Sequence, residues 1–214
     1  SFLKLENGNW FYVDGEFRYG RKSSDFGITW TNTGGSGYVS SFCCSSDGRI
    51  VYQSGGLSSQ YNSIYKSTDF GATWTALSRI TIAGRTSIAC SEDGSIVVIL
   101  NQSVGGTIKS VDGGINWTTL DVYGNGIDMS YDGKIIVAAS WRYLNNTYAL
   151  EFSKDYGETW TQITNSPYRC ETTKINRQGN CFISGSNSGT FVYQASGDIS
   201  KAKQSNRIRF RFVM

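Results

Sequence analysis

The sequence predicts an all-β chain assembled from repeated four-stranded antiparallel units, and three observations predict it. A nine-residue block recurs as Lys22 to Trp30, Lys66 to Trp74, Lys109 to Trp117 and, less completely, Ser153 to Trp160. Its serines lie 44, 43 and 43 residues apart, and one more step of 43 reaches Ser196-Gly197-Asp198, which keeps only the first half of the block. A fixed period of this size marks a repeat architecture. A second signal runs in phase with the first: Asp47-Gly48, Asp93-Gly94 and Asp132-Gly133 each sit between apolar runs, with Asn7-Gly8 and Gln178-Gly179 as weaker equivalents. Asp-Gly in that setting is a strong hairpin signal. The composition agrees, with 14% aromatic residues, 25 glycines and a single proline, Pro167.

The nine-residue block has the chemistry of a tight hairpin turn. Asp25, Asp69, Asp112 and Asp155 can accept hydrogen bonds from N–H groups further along the turn, with Ser23, Ser67, Ser110 and Ser153 opening it. Gly27, Gly71, Gly114 and Gly157 permit the positive φ such a turn needs. Thr29, Thr73 and Thr159, with Asn116 as the exception, suit the return strand. Trp30, Trp74, Trp117 and Trp160 offer large apolar surfaces to a neighbouring unit. A carboxylate repeated in every unit is a turn staple rather than a catalytic group, because one reaction does not need one copy per repeat.

This pattern, S-x-D-x-G-x-T-W, resembles the Asp-box or BNR repeat of sialidases, sortilin-like receptors and many glycosidase, phage and viral surface proteins. The resemblance implies a β-propeller, with the Asp-box in the hairpin between the third and fourth strands of each blade; five repeats of about 43 residues fill the chain, so a five-bladed β-propeller of four-stranded antiparallel blades is expected. The resemblance implies no activity, since one fold hosts many functions. The blades expected on this pattern span residues 1–33, 38–77, 86–122, 127–164 and 168–214 of a single domain.

Taken in order, the first blade opens with short strands at Phe2 to Leu5 and Trp10 to Val13. The second strands of the next three blades are continuous apolar runs, Ile50 to Tyr52, Ile96 to Leu100 and Ile135 to Ala139, which suit strands buried on both faces. The C-terminal segment alternates: Ile208, Phe210 and Phe212 share one side and Arg207, Arg209 and Arg211 the other. It is expected to close the ring, as the fourth strand of blade five or as a strand added to blade one, with its arginines as a solvated face.

Several function classes fall away. Histidine is absent, which removes imidazole general acid–base catalysis, the Ser-His-Asp triad and His-ligated metal sites. A net charge of +3 argues for neither nucleic acid nor a membrane surface as a partner. The longest apolar run, Ile96 to Leu100, is one strand and not a membrane span. Cys44 and Cys90 each stand three residues before an Asp-Gly turn, where the later repeats carry Met129 and Ile175. A position accepting Cys, Met and Ile is an apolar packing site, so the five cysteines suggest no disulfide framework, no zinc site and no cofactor. The chain opens on Ser1 rather than Met, as expected of a processed protein or of one domain of a longer one.

A binding site is expected at the end of the ring opposite the Asp-box turns, where the variable loops gather and function on rigid scaffolds usually lies. Tyr61, Asn101, Gln102, Trp141, Arg142, Tyr143, Tyr168, Arg169 and Arg85 map to those loops. Aromatic rings beside Asn, Gln and Arg suit carbohydrate: the ring covers the apolar face of a sugar and the polar groups meet its hydroxyls. The resemblance also raises a sialidase-like glycosidase. However, the family's Phe-Arg-Ile-Pro sequence has only Phe17-Arg18-Tyr19-Gly20 as a match, misplaced and without the Pro, and no carboxylate pair can be nominated on that face. The expectation is therefore a non-catalytic recognition or structural module, binding a glycan or a protein, on a virion, a phage or a secreted protein.

Overall fold

The computed structural model describes residues 2–4, 10–13, 20–33, 38–58, 61–82, 86–102, 106–142, 147–163, 170–186, 189–194 and 203–205. Among them every regular element is a strand, and the strands form five four-stranded sheets. Sheet 1 is β1 (Phe2–Lys4), β2 (Trp10–Val13), β3 (Gly20–Ser23) and β4 (Thr31–Asn32). Sheet 2 is β5 (Tyr38–Cys44), β6 (Val51–Ser58), β7 (Tyr61–Ser67) and β8 (Thr75–Ile82). Sheet 3 is β9 (Thr86–Cys90), β10 (Val97–Asn101), β11 (Ile108–Ser110) and β12 (Thr118–Thr119). Sheet 4 is β13 (Gly124–Met129), β14 (Ile136–Arg142), β15 (Thr147–Ser153) and β16 (Thr161–Gln162). Sheet 5 is β17 (Cys170–Ile175), β18 (Cys181–Ser186), β19 (Gly189–Gln194) and β20 (Lys203–Ser205). Each is an antiparallel meander in chain order.

The Asp-Gly turns set the register of the first two strands of each unit. Cys44 pairs with Val51, Cys90 with Val97, Met129 with Ile136 and Ile175 with Phe182. In each turn the leading side chain stands in for a backbone group. Ser45 Oγ donates to Asp47 Oδ1 at 2.6 Å and accepts from Ile50 N–H at 3.0 Å, and Ser91 and Ser130 repeat the arrangement. Asn176 takes over in the last unit, its Oδ1 accepting from Cys181 N–H at 3.0 Å. The backbone pairs Asn176 with Cys181, Asn176 N–H donating to Cys181 O at 2.8 Å. All five cysteines are free thiols. Burial raises the Cys43 and Cys44 thiols well above the ordinary range, as expected of packing residues.

Successive sheets meet face to face, with β5 against β9, β9 against β13 and β13 against β17. The apolar core is divided accordingly. Tyr52 and Ile64 of sheet 2 pack on Ile88, Val97 and Ile99 of sheet 3. Val98 and Leu100 meet Ile127, Met129 and Ile136 of sheet 4, while Val137, Leu150 and Phe152 meet Cys170 and Phe182 of sheet 5. The second strands of sheets 3 and 4 therefore lie between two apolar faces, and all five residues of β10 are buried. This is why their sequences read as unbroken apolar runs.

A run of backbone hydrogen bonds also links the Asp-Gly turns. Ser46 N–H donates to Glu92 O at 2.7 Å, Glu92 N–H to Tyr131 O at 2.8 Å, and Tyr131 N–H to Arg177 O at 3.0 Å. The expected fourth strand of the last unit requires a correction. The outermost strand of sheet 5 is Lys203–Ser205, pairing with Val192, Tyr193 and Gln194, and not 207–214. Residues 206–214 lie outside the described residues, as do Phe17, Arg18, Tyr19 and the partial fifth block at Ser196.

Candidate functional site

The eight-residue turns have nearly the same geometry four times. In the second, Ser67 Oγ donates to Asp69 Oδ1 at 2.7 Å and accepts from Gly71 N–H at 2.8 Å. Asp69 accepts from Thr73 N–H at 2.8 Å and from Thr73 Oγ1 at 2.5 Å. Ser23 and Asp25, Ser110 and Asp112, and Ser153 and Asp155 make the same contacts, with Asn116 Nδ2 replacing a threonine hydroxyl at 2.7 Å. The indole N–H of Trp30, Trp117 and Trp160 donates to the carbonyl of Gly27, Gly114 and Gly157 at 3.0–3.1 Å. Trp74 Nε1 is buried without such a bond.

These hydrogen bonds favour the ionised carboxylate. The Thr29 hydroxyl beside Asp25 lowers its carboxyl to about 2, and the Thr159 hydroxyl does the same for Asp155. Asn116 N–H lowers Asp112 to about 2, and Thr73 holds Asp69 lower still. Asp47, Asp93 and Asp132 are lowered by the serine hydroxyls of their own turns. Groups held ionised in this way cannot serve as proton donors near neutral pH.

A pH dependence follows. Folded-state values below the ordinary 3.8 contribute stability that is fully present above about pH 4 and is lost as pH falls toward about 2. Burial raises Asp128, so its ionisation opposes this trend as pH rises through the carboxylate range. Thermal melts from pH 6 to pH 2 should show a falling midpoint below pH 4, with a shallower fall in Asp155→Asn. A flat profile would contradict the assignment of these carboxylates as turn staples.

Two features of the turns were not read from the sequence. The residue before the glycine is also left-handed, with φ of 58° at Phe26 and Phe70, 60° at Tyr156 and 71° at Gly113. The lysine ahead of the block reaches the next sheet: Lys22 Nζ donates to Phe70 O at 3.2 Å, Lys66 Nζ to Gly113 O at 2.8 Å and Lys109 Nζ to Tyr156 O at 2.9 Å. Lys109 also pairs with Glu158. The signal was present as a lysine at the same place in three of the four blocks, with Phe152 in the fourth.

Antiparallel order sends the first-to-second and third-to-fourth connections of each sheet to one end. Phe70 N–H donates to Arg49 O at 3.1 Å and Gly113 N–H to Ser95 O at 2.8 Å, which joins the two kinds of turn there. The opposite end carries the second-to-third connections. Tyr61 opens β7 opposite Ser58, and Trp141 and Arg142 close β14 opposite Tyr148 and Thr147. Asn101 closes β10, is 1% exposed, and donates its N–H to Thr107 Oγ1 at 3.2 Å. It lies in a buried polar group with Thr86, whose hydroxyl donates to Ser54 Oγ at 2.7 Å. Gln102 is half-buried and donates through Nε2 to Asn125 Oδ1 of sheet 4, a partner the sequence did not single out. Arg85, Tyr143, Tyr168 and Arg169 lie outside the described residues.

Of the other carboxylates among the described residues, three lie on different elements. Asp128 accepts Ile175 N–H at 3.0 Å and lies 3.5 Å from Lys174 Nζ, Glu151 is buried in β15, and Glu158 faces Lys109. Among the described residues no group of three or more Cys, Asp or Glu side chains could hold a metal ion.

No family model and no curated protein matches the sequence. Solved structures do match, in fold. A GH74 enzyme of Niastella koreensis superposes with a TM-score of 0.67 at 19% identity, covering 96% of this chain and 31% of that one. A chain of a nidogen–laminin complex gives 0.68 at 10% identity, covering 92% and 77%. A protein of unknown function from Desulfotomaculum acetoxidans gives 0.68 at 12%, covering 96% and 69%. The chain spans about a third of the length of the GH74 enzymes it matches. These likenesses place it in the all-β, propeller-like class.

Proposed function

We propose that the chain is a five-bladed Asp-box β-propeller serving as a recognition module. On this reading it sits on a virion, a phage or a secreted protein. It takes a glycan, or else a protein, at the end opposite the Asp-box turns. The observation that carries the reading is the state of the repeated carboxylates. Seven aspartates, Asp25, Asp69, Asp112, Asp155, Asp47, Asp93 and Asp132, are engaged by hydrogen bonds inside their own turns. The most abundant acid groups therefore build the scaffold, and the non-repeating loops are left to define a ligand. Tyr61, Trp141 and Arg142 stand at strand ends on that side, and Gln102 with the Arg85, Tyr143, Tyr168 and Arg169 positions completes the proposed rim. Aromatic and amide groups together suit a sugar. The nidogen–laminin likeness favours a protein partner as the other form of recognition.

A sialidase-like or other glycosidase is the second reading, favoured by the fold likeness to GH74 enzymes. One experiment separates the readings: a glycan array probed with the wild-type chain and Trp141→Ala, followed by product analysis on any glycan retained. Retention lost in Trp141→Ala, without cleavage, is the expected result. Release of a shortened glycan would establish the glycosidase reading. Absence of binding to all glycans would overturn the sugar assignment and leave a protein partner.

A further inference from the structure

Of the five free thiols, Cys43 and Cys90 face one another across the junction of sheets 2 and 3. Their strands, β5 and β9, run side by side in the same direction, and two hydrogen bonds bracket the pair. Ile88 N–H donates to Ser41 Oγ at 3.3 Å, two residues before each cysteine, and Ser46 N–H donates to Glu92 O at 2.7 Å just beyond them. Side chains alternate along a strand, so Cys43 shares the Ser41 side of β5 and Cys90 the Ile88 side of β9. Both belong to the cluster of Tyr52, Ile64, Ile88 and Val97 that joins the two sheets. The two thiols lie within hydrogen-bonding reach of each other. Cys44 is on the opposite side of β5 and packs with Val39, Phe42 and Val51.

The hairpin registers give the equivalent pairs at the next two junctions as Ala89 with Met129 and Asp128 with Ile175. At the last of these Asp128 Oδ2 accepts Ile175 N–H at 3.0 Å, so a short side chain at this position spans the gap to the next strand. A disulfide needs Cα atoms about 4.4–6.8 Å apart. Strands close enough for a serine hydroxyl to reach the neighbouring amide, as Ser41 does, meet that requirement. Of these three junctions, that of sheets 2 and 3 alone has a thiol at both positions.

We infer that Cys43 and Cys90 form a disulfide between sheets 2 and 3 when the chain meets a small-molecule disulfide as oxidant. Cys90 is half-buried and Cys43 is 6% exposed, so Cys90 reacts first. Its thiolate attacks one sulfur of the oxidant. That S–S bond breaks, a mixed disulfide forms, and one small thiol leaves with the proton Cys90 has lost. Cys43 then attacks the Cys90 sulfur. The Cys43–Cys90 bond forms as the second small thiol leaves, taking the Cys43 proton. Two protein thiols are oxidised and one small disulfide is reduced to two thiols. Burial disfavours the Cys43 thiolate, which makes the second step the slow one. The product ties together the innermost strands of two sheets through residues 47 positions apart.

The test incubates the full folded chain with glutathione disulfide, alkylates it, digests it with trypsin without reduction and maps the peptides by mass spectrometry. Peptide 23–49 joined to peptide 86–109 is the expected product, removed by dithiothreitol. The link should persist in Cys44→Ala and vanish in Cys43→Ala. A link that persists in Cys43→Ala, a bond between Cys43 and Cys44, or peptide 86–109 carrying only glutathione or an alkylated Cys90 would overturn the proposal. A second measurement needs no variant. The thermal midpoint of the oxidised chain should rise on the order of 5 °C and return on reduction, because the cross-link restricts the unfolded chain. An unchanged or lowered midpoint would show that the native strands do not accommodate the bond, and would also overturn the proposal.

Discussion

Leu150→Ala is expected to destabilise the chain by about 2–5 kcal/mol, the usual cost of cutting a large aliphatic side chain from a packed core. Leu150 is 0% exposed and sits among Val137, Phe152, Ile163, Cys170 and Phe182, the cluster that joins sheets 4 and 5. Its neighbours come from two sheets whose backbones are held by separate ladders, so the site collapses poorly around a void. For a chain of this size the loss corresponds to a midpoint shift on the order of 10 °C. Ile28→Ala is the control. Ile28 is 81% exposed in the first eight-residue turn and should change stability by less than about 0.5 kcal/mol. Equal effects in the two variants would show that the sheets do not share a core.

Gly126→Val should also destabilise the chain, by overcrowding rather than by a void. A Cβ on Gly126 would lie 2.9 Å from Thr172 Cα, 3.0 Å from Glu171 O and 3.1 Å from Thr173 N. All three are backbone atoms of β17, and backbone in a hydrogen-bonded strand cannot rotate away as a side chain can. The first strands of sheets 4 and 5 must separate, which also draws Asp128 from Ile175 N–H. Overpacking of this kind costs about 1–3 kcal/mol, and more where backbone must move. Denaturant unfolding followed by tryptophan fluorescence would measure it. Gly126→Ala should fall between wild type and Val, and a Val variant as stable as wild type would refute the close approach.

The parts of this fold that were legible in the sequence are those whose chemistry is local. The serine, aspartate and glycine of each eight-residue turn lie within five residues of one another, so their hydrogen bonds are written into a contiguous string. The Asp-Gly turns are of the same kind, and the exchange of Cys, Met and Ile ahead of them disclosed a packing position. What could not be read depends on residues some 47 positions apart, such as Lys66 and Gly113. Such pairs meet only after the angle between neighbouring sheets is set, and no local pattern encodes that angle. The left-handed Phe26, Phe70 and Tyr156 were missed for another reason: bulky residues rarely adopt positive φ, and here the surrounding turn imposes it. The candidate rim was the least legible part. Its loops do not repeat, so periodicity says nothing about them, and the contact of Gln102 with Asn125 joins two different sheets.

The bonds between consecutive turns share a direction. In the lysine series the donors are Lys22, Lys66 and Lys109, and the acceptors Phe70, Gly113 and Tyr156 lie later in the chain. In the Asp-Gly series Ser46 donates to Glu92, Glu92 to Tyr131 and Tyr131 to Arg177, again forward. The strand contacts run the other way, with Ile88, Ile127 and Ile175 N–H donating back to Ser41, Ser87 and Asp128. Each interior repeat is therefore tied to its successor in both senses, forward through its turns and backward through its first strand.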